Sequence, residues 1–114
     1  MANAYEIPSL RFSSIAAEAI TRRRFIKPTT ETTASMADAG EAVIGVSMND
    51  PASSEVLEIA DGIVMVEAGG TVAVGAEVQS GTNGVAVTLA SGIKAGTCLT
   101  GGDSGHLLTI KMSV

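Results

Sequence analysis

Residues 42–59, AVIGVSMNDPASSEVLEI, return without a gap 51 positions later as residues 93–110, IKAGTCLTGGDSGHLLTI. Gly45 falls on Gly96, Ser53 on Ser104, Leu57 on Leu108 and Ile59 on Ile110. Each copy reads as a short apolar strand, a polar turn and a second apolar strand. A repeat of this kind changes how every local motif is read. With one insertion it extends back, so that residues 19–27 lie over residues 71–79. Each half is then a strand, a variable loop, a strand with a central glycine, a turn and a strand. The expected fold is all-β, a small barrel or sandwich built from two similar halves.

Composition agrees with that pattern. The chain has 114 residues, 46% of them apolar, with only 3% aromatic. Its 13 glycines are spread between short runs of Val, Ile, Ala and Leu, as turns between strands require. Residues 62–66, GIVMV, predict the most buried strand, with a turn at Asp61-Gly62 before it. Residues 71–79, TVAVGAEVQ, alternate as a strand should. Asn83-Gly84 marks a hairpin loop. Residues 14–20, SIAAEAI, have the propensity for a helical turn. No apolar run approaches the roughly 20 residues that span a bilayer. The first ten residues do not read as a secretory signal.

Residues 1–16 read as an extended N-terminal arm and residues 17–114 as the β-domain. Tyr5 and Ile7 alternate with Glu6, Pro8 interrupts, and Leu10, Arg11 and Phe12 follow in extended spacing. Aromatic and aliphatic side chains in such a segment are typical interface anchors, and an extended terminus can add a strand to a partner's sheet. Charge is also unevenly placed along the chain. Residues 1–27 hold five basic against two acidic residues, a net +3, while the remainder holds two against ten, a net −8. Arg22, Arg23 and Arg24 concentrate the positive charge. Specific nucleic-acid domains are basic over a whole face, whereas this chain has a pI of about 4.6. An acidic protein surface suits the three arginines better than nucleic acid.

Candidate chemistry is sparse. Gly102-Asp103-Ser104-Gly105 matches the surroundings of a serine-protease nucleophile, and His106 lies two residues beyond Ser104. A triad also needs a buried acid orienting the histidine. The repeat accounts for the motif as a hairpin turn, because it overlies Pro51-Ala52-Ser53-Ser54. Cys98 and His106 are each the sole residue of their type, too few for a zinc site. No cofactor is expected.

The chain resembles the capsid decoration, or cement, proteins of tailed bacteriophages over about residues 14–114. The resemblance is carried by Arg24-Phe25-Ile26-Lys27, by residues 42–47 (AVIGVS), by residues 62–69 (GIVMVEAG) and by residues 72–78 (VAVGAEV). Residues 84–87 (GVAV), Ala95-Gly96-Thr97 and Leu107-Leu108-Thr109-Ile110 complete the series. The order and spacing of these weak motifs, rather than any one of them, make the case. The Arg22-Arg23-Arg24 run and the loop over residues 29–40 depart from the family pattern. The resemblance implies a β-tulip-like domain on the outside of a phage head, made in the host cytoplasm, that bridges major capsid protein subunits. It implies trimers, with other stoichiometries known in the family, and an N-terminal segment that orders on the capsid. On this reading Tyr5, Ile7, Leu10, Arg11 and Phe12 contact the capsid, Arg22, Arg23 and Arg24 pair with its acids, and the chain is not an enzyme. Two other readings stay open: a small β-module that binds a ligand, weakened by the lack of Trp, and a serine hydrolase using Ser104 and His106.

Overall fold

The repeat continues into the hydrogen bonding. The computed structural model describes residues 7–113, with side chains from Leu10 to Ser113. Its strands are β1 (Ile7–Ala16), β2 (Phe25–Pro28), β3 (Thr33–Met36), β4 (Gly45–Ser47), β5 (Val56–Glu67), β6 (Glu77–Ser80), β7 (Ala86–Thr88), β8 (Gly96–Cys98) and β9 (Leu107–Met112). The one helical turn among the described residues is a 3-10 turn at Thr82–Gly84.

β4 and β5 pair antiparallel with Val46 opposite Ala60 and Ser47 opposite Ile59. Moved by 51 positions, these become Thr97 opposite Lys111 and Cys98 opposite Ile110, the observed pairs of β8 and β9. The β2–β3 pairs Ile26–Met36, Lys27–Ser35 and Pro28–Ala34 become, at 52 positions, the β6–β7 pairs Val78–Thr88, Gln79–Val87 and Ser80–Ala86. The change of offset places the first half's extra residue between Met36 and Ile44. Register fixes which side chains face inward, so the two halves bury equivalent positions.

The repeat also takes in β1. Arg11 to Ile15 pair antiparallel with Ala60 back to Val56, and Ile63 to Glu67 pair in the same register with Lys111 back to Leu107. β1 is therefore the first strand of the first half, and the second part of β5 is the first strand of the second. β5 serves both: it ends one half and begins the next. Parallel pairing of Ala16 with Ala34 closes a ring β1-β3-β2-β4-β5. The bridge between Ala68 and Ala86 closes its counterpart β5-β7-β6-β8-β9.

This corrects the reading of residues 1–16 as an arm outside the domain. From Ile7 onward the segment is extended, as expected, but its hydrogen bonds are made to this chain's own β5 and, at its end, to β3 and the Thr32 carbonyl. Residues 1–6 lie outside the described residues.

Other local expectations also change. Asp61-Gly62 is no turn: β5 runs straight through it, with Gly62 at φ +107° and its N–H donating to Asp61 Oδ1 at 2.8 Å. The partner strand absorbs the irregularity between Pro8 and Leu10. Residues 71–79 are not one strand. Val72 bridges Gly102, the chain turns at Val74-Gly75, and β6 begins at Glu77. Residues 14–16 finish β1 and form no helical turn. The Asn83-Gly84 loop does take left-handed backbone, at φ +58° and +76°.

Each ring has its own core. Ala16, Ile20, Ile26, Ala34, Leu57 and Ile59 fill the first, with Phe12 packed against them. Their counterparts Ala68, Val72, Val78, Ala86, Leu108 and Ile110 fill the second. Phe25, Ala37, Val46 and Ala60 belong to the first half by sequence but are buried in the second half's cluster. That apolar face joins the halves. Burying Phe25 alone is worth about 1.5–3 kcal/mol.

Candidate functional site

The arginine run sits at this junction. Residues 21–24 connect the first half's opening strand to β2, and their backbone is dictated by the fold: the Arg23 N–H donates to the Ser47 carbonyl at 2.8 Å, as the Gly75 N–H donates to Cys98 at 2.7 Å. Arg23 adopts φ +64° where its counterpart Gly75 has +83°. A non-glycine residue in that region costs about 1 kcal/mol or more. Its Nη1 lies 3.7 Å from Met48 Sδ.

The neighbouring arginines are engaged inside the chain. Arg22 donates its backbone N–H to Asp50 Oδ1 at 2.8 Å, and its Nε is 3.5 Å from Asp50 Oδ2. Both side chains are mostly exposed, so that ion pair contributes little. Arg24 is half-buried and crosses the junction. Its Nη2 is 3.3 Å from Glu67 Oε1 and its Nη1 donates to the Asn83 carbonyl at 3.1 Å. Its Nε is buried with no hydrogen-bond partner. Arg22 and Arg23 line an open groove of about 530 Å³ with Thr21, Asp50, Glu67, Gly105 and Leu107. Lys27, the remaining cation beside this run, contacts Glu41 at 2.8 Å and Asp38 at 3.6 Å. The hydrogen bond from Lys27 holds the Glu41 carboxyl below its ordinary pKa, helped by the Asp38 backbone, and the same bond raises Lys27. The basic front is thus largely matched within the molecule, and Arg24 is a tie between the halves.

The candidate arm residues divide. Tyr5 and the side chain of Ile7 lie outside the described residues. Leu10 is 55% exposed and Arg11 is exposed, so both are open to contact. Phe12 points inward and packs on the first core, which corrects its reading as a surface anchor. Ile15 and Val56, directly opposite each other on β1 and β5, form an exposed apolar pair that sequence reasoning passed over. The signal was there: Val56 falls out of phase with the buried Leu57 and Ile59, and its repeat counterpart Leu107 is also exposed.

Ser104 and His106 lie on the β8–β9 turn. The Asp103 N–H donates to His106 Nδ1 at 3.2 Å, and the His106 N–H donates to the Asp103 carbonyl at 3.0 Å. In the first half the Ala52 N–H donates to Glu55 Oε1 at 2.8 Å, and the Glu55 N–H to the Ala52 carbonyl at 3.1 Å. His106 therefore caps its turn as Glu55 caps the equivalent one. The Asp103 carboxylate accepts from Thr71 Oγ1 instead, at 3.1 Å. Among the described residues, no three His, Cys, Asp or Glu side chains gather as a metal site.

No protein-family model matches the chain, and no curated protein matches it. Among solved structures it is similar to the N base of the head fiber protein gp8.5 of bacteriophage phi29. The TM-score is 0.78 at 19% sequence identity, over 91% of this chain and 93% of that one. At that identity the likeness is one of fold, and it spans both halves of the repeat.

Proposed function

We propose that the chain is a structural protein of a bacteriophage head: a decoration protein on the outer surface that bridges major capsid protein subunits and stabilises the shell. The observation that carries this reading is the fold likeness to a phage head fiber base over nearly the whole of both chains. The resemblance of residues 14–114 to phage decoration proteins supports it independently. The role is non-enzymatic, and trimers, or failing that dimers, multiply weak contacts over the shell. A contact on the order of 1,000 Å² per copy suffices for specificity. Tyr5, Ile7, Leu10 and Arg11 remain the candidate capsid contacts, with Arg22 and Arg23 beside the junction groove. Phe12 and Arg24 are committed to the chain's own packing.

The test is co-sedimentation of the purified chain with matching empty heads. A fixed number of copies per capsid subunit is expected, with light scattering giving the free oligomer. A chain that stays off the heads under all salt conditions overturns the reading. Removing residues 1–6 is the cleaner probe of the terminus, because removing residues 1–13 would take Phe12 from the first core and open its ring.

A further inference from the structure

Asn83-Gly84 is the single Asn-Gly step of the sequence. Asn83 is exposed at φ +58° and ψ +30°, in the 3-10 turn between β6 and β7. At that ψ the Gly84 nitrogen is turned toward the Asn83 N–H and away from the Asn83 side chain. The peptide plane that joins the two residues is held from several directions. Arg24 Nη1, from the first half, donates to its carbonyl oxygen at 3.1 Å. Its N–H donates to the Gly81 carbonyl at 3.2 Å. Gly84 itself lies so close to the Phe25 backbone that a Cβ there would stand 2.6 Å from the Phe25 oxygen.

An asparagine followed by glycine is the step at which a peptide chain deamidates most readily, because no side chain shields the glycine nitrogen. That nitrogen attacks Cγ of the asparagine side chain. A C–N bond forms, and ammonia leaves with the proton that the nitrogen gives up. Water then opens the cyclic imide at either carbonyl, giving aspartate or isoaspartate. The attack requires the asparagine ψ to rotate until the nitrogen faces Cγ. At Asn83 that rotation swings the whole peptide plane between residues 83 and 84, and so breaks the Arg24 and Gly81 hydrogen bonds together.

We propose that Asn83 is a latent deamidation site and that Arg24 is the lock on it. The Arg24 side chain is only 16% exposed, and its Nη2 is anchored on Glu67 at 3.3 Å while Nη1 holds the Asn83 carbonyl. Asn49, the other asparagine in a turn, is held differently. Its Nδ2 donates to the Val56 carbonyl at 3.0 Å and its Oδ1 accepts from the Glu58 N–H at 2.9 Å, which fixes the side chain itself. At Asn83 the hydrogen bonds fall on the backbone instead, so protection depends on the junction between the halves. The change runs one way. The isoaspartyl product puts an extra carbon into the main chain where Gly84 has no spare room, and the aspartyl product adds a negative charge beside the carbonyl that Arg24 holds. An opening of the junction is thereby recorded as a permanent chemical change, whatever surface the chain binds.

The test is the rate at which aspartate and isoaspartate appear at residue 83, read by mass spectrometry of the proteolysed chain after incubation at mildly alkaline pH. The folded chain should deamidate at least about tenfold more slowly than the chain unfolded in urea. Arg24→Ala should deamidate about tenfold faster than the parent, the factor carried by one hydrogen bond to a charged group. Phe12→Ala, which loosens the first core away from this turn, should stay within about twofold of the parent. If Arg24→Ala does not fold, Arg24→Lys takes its place, since a single ammonium cannot hold Glu67 and the Asn83 carbonyl as the guanidinium fork does. Three results overturn the proposal. One is a folded parent that deamidates as fast as the unfolded chain, and another is an Arg24 variant as slow as the parent. The third is Phe12→Ala as fast as the Arg24 variant, which would tie the rate to overall stability and not to the lock.

Discussion

Alanine at Gly45 or at Gly96 tests the duplicated architecture directly. Both residues sit where a short strand passes close over the paired strand of its own half. A Cβ at Gly45 would come 2.6 Å from Ile59 Cγ2 and 2.7 Å from the Ala60 carbonyl oxygen. At Gly96 it would collide with the Lys111 carbonyl oxygen and come 2.7 Å from Ile110 Cγ2. A methyl can rotate away, but a ladder carbonyl cannot, so the strands must part. Overpacking of this kind costs about 1–3 kcal/mol, against about 0.5–1 kcal/mol regained by removing glycine from a strand. A net loss of about 1 kcal/mol is expected for each, or about 5 °C in Tm for a domain of this size. Gly70 is the control, since a Cβ there meets nothing within 4 Å; Gly70→Ala should stay within about 0.5 kcal/mol of the parent. Urea unfolding followed by circular dichroism measures all three. If Gly45→Ala or Gly96→Ala is as stable as Gly70→Ala, the close approach of the strands is wrong.

Phe12→Ala should destabilise the chain by about 2 kcal/mol because the ring packs on the first core, while Leu10→Ser stays within about 0.5 kcal/mol; equal effects in urea melts would refute the placement of β1. Arg24→Ala should cost about 1–2 kcal/mol through the lost charged hydrogen bonds across the junction, and amide exchange should quicken at Asn83 and Gly84 before it does in β9. Glu41 has a depressed folded pKa, so its pair with Lys27 stabilises above the unfolded glutamate value and is lost as pH falls through the folded one. The urea midpoints of wild type and Glu41→Gln should therefore differ at pH 7 and converge at acid pH; a constant difference would sink that assignment. Ser104→Ala should leave stability unchanged, whereas His106→Ala should lose about 1 kcal/mol with its turn hydrogen bond, and neither should change hydrolysis of a model ester.

Much of the fold was legible because the repeat preserves what register depends on. Gly45 and Gly96, Leu57 and Leu108, and Ile59 and Ile110 kept their types, since each meets the same close or buried surroundings in its half. β1 was not legible as a repeat member. Residues 11–16, RFSSIA, and residues 63–68, IVMVEA, share only the final alanine, because the second of these strands is buried at the junction and the first is not. The turn at Val74-Gly75 was hidden by alternation that continues through it. The arginine run looked like a surface patch because its acids, Asp50 and Glu67, are distant in sequence. The exposed pair of Ile15 and Val56 was hidden because the two residues are distant in sequence and become neighbours only across the β1–β5 ladder.

β5 belongs to both rings, and this removes any hinge between them. No linker exists whose dihedral angles could change while the two cores stay intact, and the face of Phe25, Val46 and Ala60 would lose its cover if the rings rotated apart. The molecule should therefore respond to load or to ligand as one stiff body with a single cooperative melting transition. A protein laid across a seam between neighbours gains from that property, since strain entering at one end is carried to the other without being absorbed between.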